Sequence, residues 1–283
     1  MARVCVVGSV NSDLIFTVET LPRPGDTVLA SALTSSPGGK GANQALAAAR
    51  AGAEVQFVGA LGSDAAADSL LTHLHANDVG TAGLITVPGP SGAAAIMVDS
   101  HAENMIVVAP GANGHLVLDS PAVRMVIADA DVVLIQLEIP APTAVAAARI
   151  ARDADATVIV NASPPSSSPE MSELASLTDV VVFNESESAE WRWPVPHLVI
   201  TRGAHGASHI TGDRRADIAA PAVEAVDSTG AGDVFAGVLA AGWSTDVDEA
   251  LQRACAAGAL ATLVPGAGDC APVDEAIADA LGR

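Results

Sequence analysis

Short apolar runs rich in β-branched residues alternate along this chain with Ala-rich stretches of helical spacing. No other feature narrows the choice of fold so far. Residues 4–7, 55–60, 132–137, 157–160, 180–183 and 198–200 read as strands. They are mostly apolar and rich in β-branched residues, as strands are when a sheet is covered on both faces. Residues 43–51, 65–76, 143–151, 234–242 and 247–263 read as the intervening helices. Alternation of this kind predicts a largely parallel sheet with crossover helices. A chain of 283 residues buries such a core without disulfide staples. No repeat or low-complexity linker divides it, and 163–169 reads as a loop after a strand.

Two stretches, 14–35 and 84–108, break the alternation. They hold strand-like runs (93–98 and 105–108) with no helical pattern between them, which predicts a small antiparallel sheet set apart from the main one. Such an appendage would cover a cleft or pack on another subunit.

Charge and cysteine usage exclude several classes of function. With 13 basic against 33 acidic residues the net charge is −20, so DNA, RNA and anionic membranes are repelled. A small anion is still within reach, because backbone dipoles hold it locally. Cys5, Cys255 and Cys270 show no metal or disulfide spacing, which points to a reducing, cytoplasmic setting. The first apolar run is too short for a signal peptide, and the uncharged run 254–268 contains Gly and Pro and is too short for a membrane span. His73, His75, His205 and His209 lack carboxylate or cysteine partners at metal spacing.

Three segments carry chemistry. Asp227-Ser228-Thr229-Gly230-Ala231-Gly232-Asp233 runs straight into a helix pattern. Glycines before a helix leave N–H groups converging on one point, and the helix N-terminus adds positive charge there. Gly230, Ala231 and Gly232 so placed form an anion hole for phosphate oxygens, with Asp233 beside it to take a proton from an alcohol. The plain reading is a loop with Asp233 as a helix-capping acid, and this segment alone does not decide between the two. Pro37-Gly38-Gly39-Lys40-Gly41-Ala42-Asn43-Gln44 opens another helix. It is not a phosphate-binding loop of the GxxxxGK[ST] kind, and no GxGxxG follows the first strand, which argues against a nicotinamide oxidoreductase. Its glycines admit close backbone approach to a ligand, while Lys40 and Asn43 supply donors; a tight turn with a solvated lysine is the simpler alternative. Gly8-Ser9-Val10-Asn11-Ser12-Asp13 follows the first strand, and Glu138 and Asn184 end two others. Ligands gather at the carboxyl ends of parallel strands, where Asn11 and Asp13 would grip sugar hydroxyls, or else form an Asx turn.

Taken together, GSxNxD, GGKGANQA, PGAN, QLE, NxxE and DSTGAGD resemble the ribokinase-like (PfkB) carbohydrate kinase family, in family order and over nearly the whole chain. The resemblance implies a three-layer α/β/α fold spanning 1–283, with a mostly parallel central sheet and a small antiparallel β lid built from 14–35 and 84–108. It implies ATP-dependent phosphorylation of a sugar, with GGKGANQA, PGAN and QLE pointing to the 5-hydroxyl of D-ribose. Deoxyribose, another pentose, a hexose or a nucleoside are the alternative acceptors, and a non-catalytic sugar- or nucleotide-binding protein is the alternative class. By the same resemblance, Asp233 is the base and Gly230, Ala231 and Gly232 form the anion hole. Asn11, Asp13, Gly39, Lys40, Asn43 and Glu138 hold the sugar. Asn184, Glu187, Thr201 and Gly203 serve the nucleotide and its magnesium. Asp227, Thr229 and Gly266 flank an activating potassium ion, and the lid pairs two subunits into a homodimer.

The chain departs from the family pattern at two places. Cys270 stands where the family pattern has what looks like a serine beside the cation loop. The segment 188–197 is short and interrupted by Pro194 and Pro196, where family members carry a long helix and loop. Losing a covering helix exposes apolar sheet surface. Trp191 and Trp193 then read as ordinary loop aromatics, the simpler choice, or as cover for that surface unless another subunit supplies it.

Overall fold

The computed structural model describes residues 1–101 and 103–282. From the N-terminus, β1 (Arg3–Val7), β2 (Asn11–Thr17) and β3 (Ala32–Gly38) precede α1 (Lys40–Arg50), followed by β4 (Glu54–Leu61), α2 (Ala65–Ala76) and β5 (Gly80–Thr86). Then come β6 (Gly92–Val98), β7 (Asn104–Ala109), α3 (Pro121–Ala128), β8 (Val132–Gln136), α4 (Ala141–Asp153), β9 (Thr157–Asn161) and α5 (Met171–Leu177). The remaining elements are β10 (Val180–Asn184), α6 (Glu185–Ser188), β11 (His197–Thr201), β12 (Ala207–Thr211), β13 (Arg214–Ile218), α7 (Ala231–Gly242), α8 (Val247–Ala261) and α9 (Asp274–Ala280).

The larger sheet runs β13-β12-β11-β10-β9-β8-β1-β4-β5. Strands β5 through β11 in that order are parallel, and β12 and β13 add an antiparallel edge. Side chains alternate between two cores. Val4, Val6, Leu134 and Ile159 face α1, α2, α7, α8 and α9, while Cys5, Val7, Val133, Ile135 and Val160 face α3, α4 and α5. Each fully buried Leu or Ile is worth roughly 1.5–3 kcal/mol, which explains why these strands are apolar on both sides. Helix starts are set by caps: the Asp64 carboxylate accepts from the Ala67 N–H (3.1 Å) and Asp246 from the Glu249 N–H (3.0 Å). Asp248 and Glu249 also suit the positive end of α8.

The smaller sheet runs β3-β2-β6-β7. Expected to be antiparallel, it is so in β2–β3 and β6–β7, while the central β2–β6 pair is parallel. The reason is topological: β2 follows β1 and β6 follows β5, two strands of the parallel sheet, so both leave its carboxyl edge in one direction. Its strands begin and end outside the expected bounds, since β2 starts at Asn11 and β3 reaches Gly38. Residues 84–86, expected in this sheet, instead finish β5 at the edge of the larger one. The strands β12 and β13 and the short helices α3, α5 and α9 carry too little periodicity to be read in advance.

In the short connection after α6, the Trp191 ring lies 6.4 Å from Phe183 and 5.3 Å, edge-on, from Trp193, between ring centroids. The Trp191 indole N–H donates to the Trp193 carbonyl at 2.8 Å. Both rings are partly buried against the main core, and Trp191 also packs with Leu137, Ala162, Val181 and Phe183. The tryptophans therefore cover the sheet beside this short connection, and the loop-aromatic reading does not hold. A pair of large rings with a satisfied N–H is the compact way to cover that face.

Candidate active site

Most of the candidate side chains are delivered by the carboxyl edge of the parallel strands, by the segments that leave it, or by a helix that starts there. β1 leads through Gly8 and Ser9 to Asn11 and Asp13 on β2; β8 leads to Glu138, β9 ends at Asn161, β10 at Asn184 and β11 at Thr201. The registers Gln136↔Asn161, Asn161↔Val182 and Asn184↔Thr201 set these ends side by side. Opposite them stand the N-termini of α1 and α7. These two helices approach closely because Gly237 has no side chain: a Cβ there would stand 2.3 Å from the Gln44 carbonyl oxygen.

Gly230 caps α7 at φ 81°, a left-handed conformation that favours glycine, and a Cβ on it would press against Ala267 at 2.8 Å. Gly232, by contrast, has open space where its side chain would be. Asp233 is buried in the first turn of α7. Its Oδ2 accepts from Asn43 Nδ2 at 3.1 Å and its Oδ1 from Gln44 Nε2 at 3.0 Å. A cleft of about 120 Å³ opens here, lined by Lys40, Asn161, Asn184, Glu187, Thr201, Gly230, Gly232 and Asp233 among others. Asp233 holds the Lys40 ammonium above its ordinary pKa, with burial opposing and Glu138 and Glu187 adding to the effect.

On the other side of Lys40, Ser9 Oγ donates to Glu138 Oε2 (2.5 Å), which also accepts from the Lys40 backbone N–H at 3.4 Å. Asn11 Oδ1 accepts from Asn113 Nδ2 at 2.8 Å, and Asn113 is itself tied to both the N–H and the carbonyl of Val10. Gly39 (φ 92°) fits against the Asn11 backbone, where a Cβ would come within 2.7 Å of the amide nitrogen. Asp13 Oδ1 is buried without a hydrogen-bond partner among the described residues. Burial first, then the nearby carboxylates of Glu138 and Asp233, push the Asp13 carboxyl from 3.8 up to about 7.

Asn184 and Glu187 meet as a capping box on α6. Asn184 Oδ1 accepts from the Glu187 N–H (2.8 Å) and Glu187 Oε2 from the Asn184 N–H (3.0 Å). Gly203 (φ 55°) opens a short 3-10 turn beyond Thr201 and lies outside the cleft lining. Asp227 joins two loops, accepting from Thr229 N–H (2.9 Å) and Gly266 N–H (2.8 Å). Burial opposes its ionisation, yet these bonds hold the carboxyl below its ordinary value. The Cys270 thiol donates weakly to the carbonyls of Ala267 (3.5 Å) and Thr229 (3.8 Å), and burial, with Asp233 and Asp227 nearby, pushes it up to about 11. No group of three or more metal-ligating side chains occurs among the described residues, and no helix there is long and apolar enough to cross a membrane.

A family model described as pfkB family carbohydrate kinase matches residues 1–193 and 194–274. The chain belongs to the PfkB family of carbohydrate kinases. The two parts of the family match meet inside the short connection that carries the tryptophans. The chain is 35% identical over 281 residues to the ribokinase of Bacillus subtilis, covering 94% of this chain and 95% of that one. It is 34% identical over 308 residues to a bifunctional ribokinase/ribose-5-phosphate isomerase A of Fructilactobacillus sanfranciscensis, covering all of this chain but only 57% of that protein's length. The structure of Arabidopsis thaliana ribokinase complexed with ribose and ATP matches with a TM-score of 0.89 at 28% identity, over 100% of this chain and 99% of that one.

Within this PfkB site, sequence reasoning passed over Gln44, Asn161, Asn113 and Ser9. Signals were available for all four: Ser9 lies in GSxNxD, Gln44 ends GGKGANQ, Asn113 ends PGAN, and Asn161 is polar at the end of an apolar strand, like Asn184.

Proposed function

We propose that this carbohydrate kinase is an ATP-dependent ribokinase, transferring the γ-phosphoryl group to the 5-hydroxyl of D-ribose. The observation that carries the reading is Asp233, buried in the first turn of α7 beside the Gly230–Gly232 turn and lining one cleft with Lys40. Asp233 takes the proton from the sugar hydroxyl as its oxygen bonds to phosphorus and the bond to the ADP oxygen breaks. The N–H groups of Gly230 and Gly232, that of Ala231 on exchanging its 3.3 Å bond to the Ser228 carbonyl, and the Lys40 ammonium stabilise charge on the transferred group. Asn11, Asp13, Gly39, Asn43 and Glu138 hold the sugar. The unpartnered buried Asp13 oxygen supports this, since a buried acceptor wants a hydroxyl donor. Asn184, Glu187, Thr201 and Gly203 serve the nucleotide.

Magnesium neutralises triphosphate charge when bound. It takes one or two carboxylates with substrate phosphates and water rather than an all-protein cage, so Glu187, the cleft carboxylate besides Asp233, fits it. Potassium is held by carbonyl oxygens; those of Thr229 and Ala267 both lie against the Cys270 thiol, and Asp227 ties the Thr229 loop to the Gly266 loop, so we assign the activating cation between these two loops. The smaller sheet acts as a lid over the sugar. Its edge strand β7 exposes Met105, Ile106, Val107 and Val108, and Leu33 on β3 is exposed as well. An apolar, unpaired edge of that length supports a homodimer. The three free, buried cysteines support a reducing, cytoplasmic setting.

The test is ADP release with Mg-ATP over ribose, deoxyribose, fructose and nucleosides, in potassium and in sodium, with Asp233→Asn as control. Ribose-dependent release, higher in potassium and lost by about a hundredfold or more in the variant, is expected. Release with another acceptor only would change the substrate, equal rates in the two salts would remove the cation assignment, and silence with ribose still bound would make the chain a binding protein.

A further inference from the structure

A chain of polar groups leads from the middle of the sheet to the proposed base. Asn161 Nδ2 donates to the Val182 carbonyl of β10 at 3.1 Å. A carbonyl only accepts, so the Asn161 amide is oriented with Oδ1 turned towards α1. That oxygen accepts from Gln44 Nε2 at 2.9 Å, and the same nitrogen donates its second hydrogen to Asp233 Oδ1 at 3.0 Å. Reversing the Gln44 amide would set its oxygen against two acceptors. The orientation is kept although it leaves Gln44 Oε1 buried with no hydrogen-bond partner among the described residues.

Gln44 is fully buried and cannot touch a sugar, whereas its neighbour Asn43 keeps some exposure. Asn43 is therefore able to exchange its bond to Asp233 Oδ2 for a bond to substrate, while Gln44 holds Oδ1 throughout. The close α1–α7 approach at Gly237 fixes the backbone that carries Gln44.

We propose that Gln44 is a positioning residue for the phosphoryl-transfer base. Oriented by Asn161 and the Val182 carbonyl, it fixes the Asp233 carboxylate by Oδ1 and leaves Oδ2 to receive the proton of the acceptor hydroxyl. The inference rests on the reading of Asp233 as base. A fixed carboxylate keeps the attacking oxygen in line, and small misplacements of such groups cost rate rather than affinity.

The experiment compares Gln44→Met, Asn161→Ala, the double variant and Asp233→Asn in the full chain, with kcat expressed per ribose-binding site counted by calorimetry. Gln44→Met is expected to lower kcat by about ten- to a hundredfold, with ribose and ATP KM within about twofold of the unaltered chain. Asn161→Ala should act in the same direction, and the double variant should fall no further than the worse single one, as groups acting in one relay do. If Gln44→Met does not fold, Asn161→Ala carries the same kcat-against-KM test. Unchanged kcat with raised KM, or independent multiplicative losses, overturns the relay. An inactive Asp233→Asn beside a fully active Gln44→Met sinks this inference alone, whereas an active Asp233→Asn sinks the base reading and the relay with it.

Discussion

Around Asp233 the polar groups are tied to one another across α1, α7, β9 and β10, whereas Asn184 and Glu187 satisfy each other within a single turn. One side of the cleft depends on distant residues meeting; the other is built from four consecutive ones. The side proposed for the sugar also keeps a carboxyl, Asp13, in an environment that disfavours its charge, while Glu187 is half-buried and gives one oxygen to a cap. A buried, long-range network costs stability to keep function, and a local one does not.

Asp13→Asn should expose that cost with the largest effect. Ribose affinity should fall by about ten- to a hundredfold, the worth of a hydrogen bond to a charged group. Thermal stability should move the other way. A carboxyl raised from 3.8 to about 7 by folding binds a proton in the native state between those values. The stability this supplies is full below about 4 and is lost as pH rises through about 7. The variant carries no such group, so its Tm advantage over the unaltered chain should be absent near pH 4 and greatest above pH 7. A Tm difference that does not change with pH would break the comparison.

Trp191→Ala tests the nucleotide side through its cover rather than its polar groups. Removing a partly buried indole that packs on Phe183 and Trp193 should cost about 2–3 kcal/mol, below the range for a fully buried ring. Chemical unfolding checks it. Ribose affinity should stay within about twofold, because the residues proposed to hold the sugar hang from other strands. A loss under about 0.5 kcal/mol would show that the tryptophan does not cover the sheet after all.

The same contrast explains what could be read from the amino-acid order. The strand–helix alternation and DSTGAGD are local patterns, so the parallel strands β1, β4 and β8 to β11 and the α7 turn were visible in advance, whereas the α6 cap and the edge strands β12 and β13 were not. Gln44 and Asn161 lie 117 positions apart, and nothing at either site announces the other. The parallel β2–β6 pair was hidden for a related reason, since its direction follows from where β1 and β5 end in space. Trp191 and Trp193 were visible as residues, but their role depends on Phe183 and Ala162 lying bare beside them.

The smallest expected effect separates cap from charge at Glu187. Asn184→Ala removes the acceptor for the Glu187 N–H and should cost about 1 kcal/mol of local stability, since caps are worth 0.5–2. α6 is exposed and short, so the global Tm should barely move. Glu187→Gln is the sharper change. A glutamine at this position still accepts from the Asn184 N–H and completes the box, so the turn survives. What it loses is the carboxylate facing the cleft, and with it the attraction to Lys40 and to a metal–phosphate group. The Mg-ATP KM should therefore rise severalfold in Glu187→Gln at unchanged Tm and ribose affinity, measured by steady-state kinetics over a magnesium titration. A Glu187→Gln enzyme with unaltered magnesium dependence would reduce Glu187 to a cap, and the nucleotide side would then owe its phosphate binding to Lys40 and the Gly230–Gly232 turn alone.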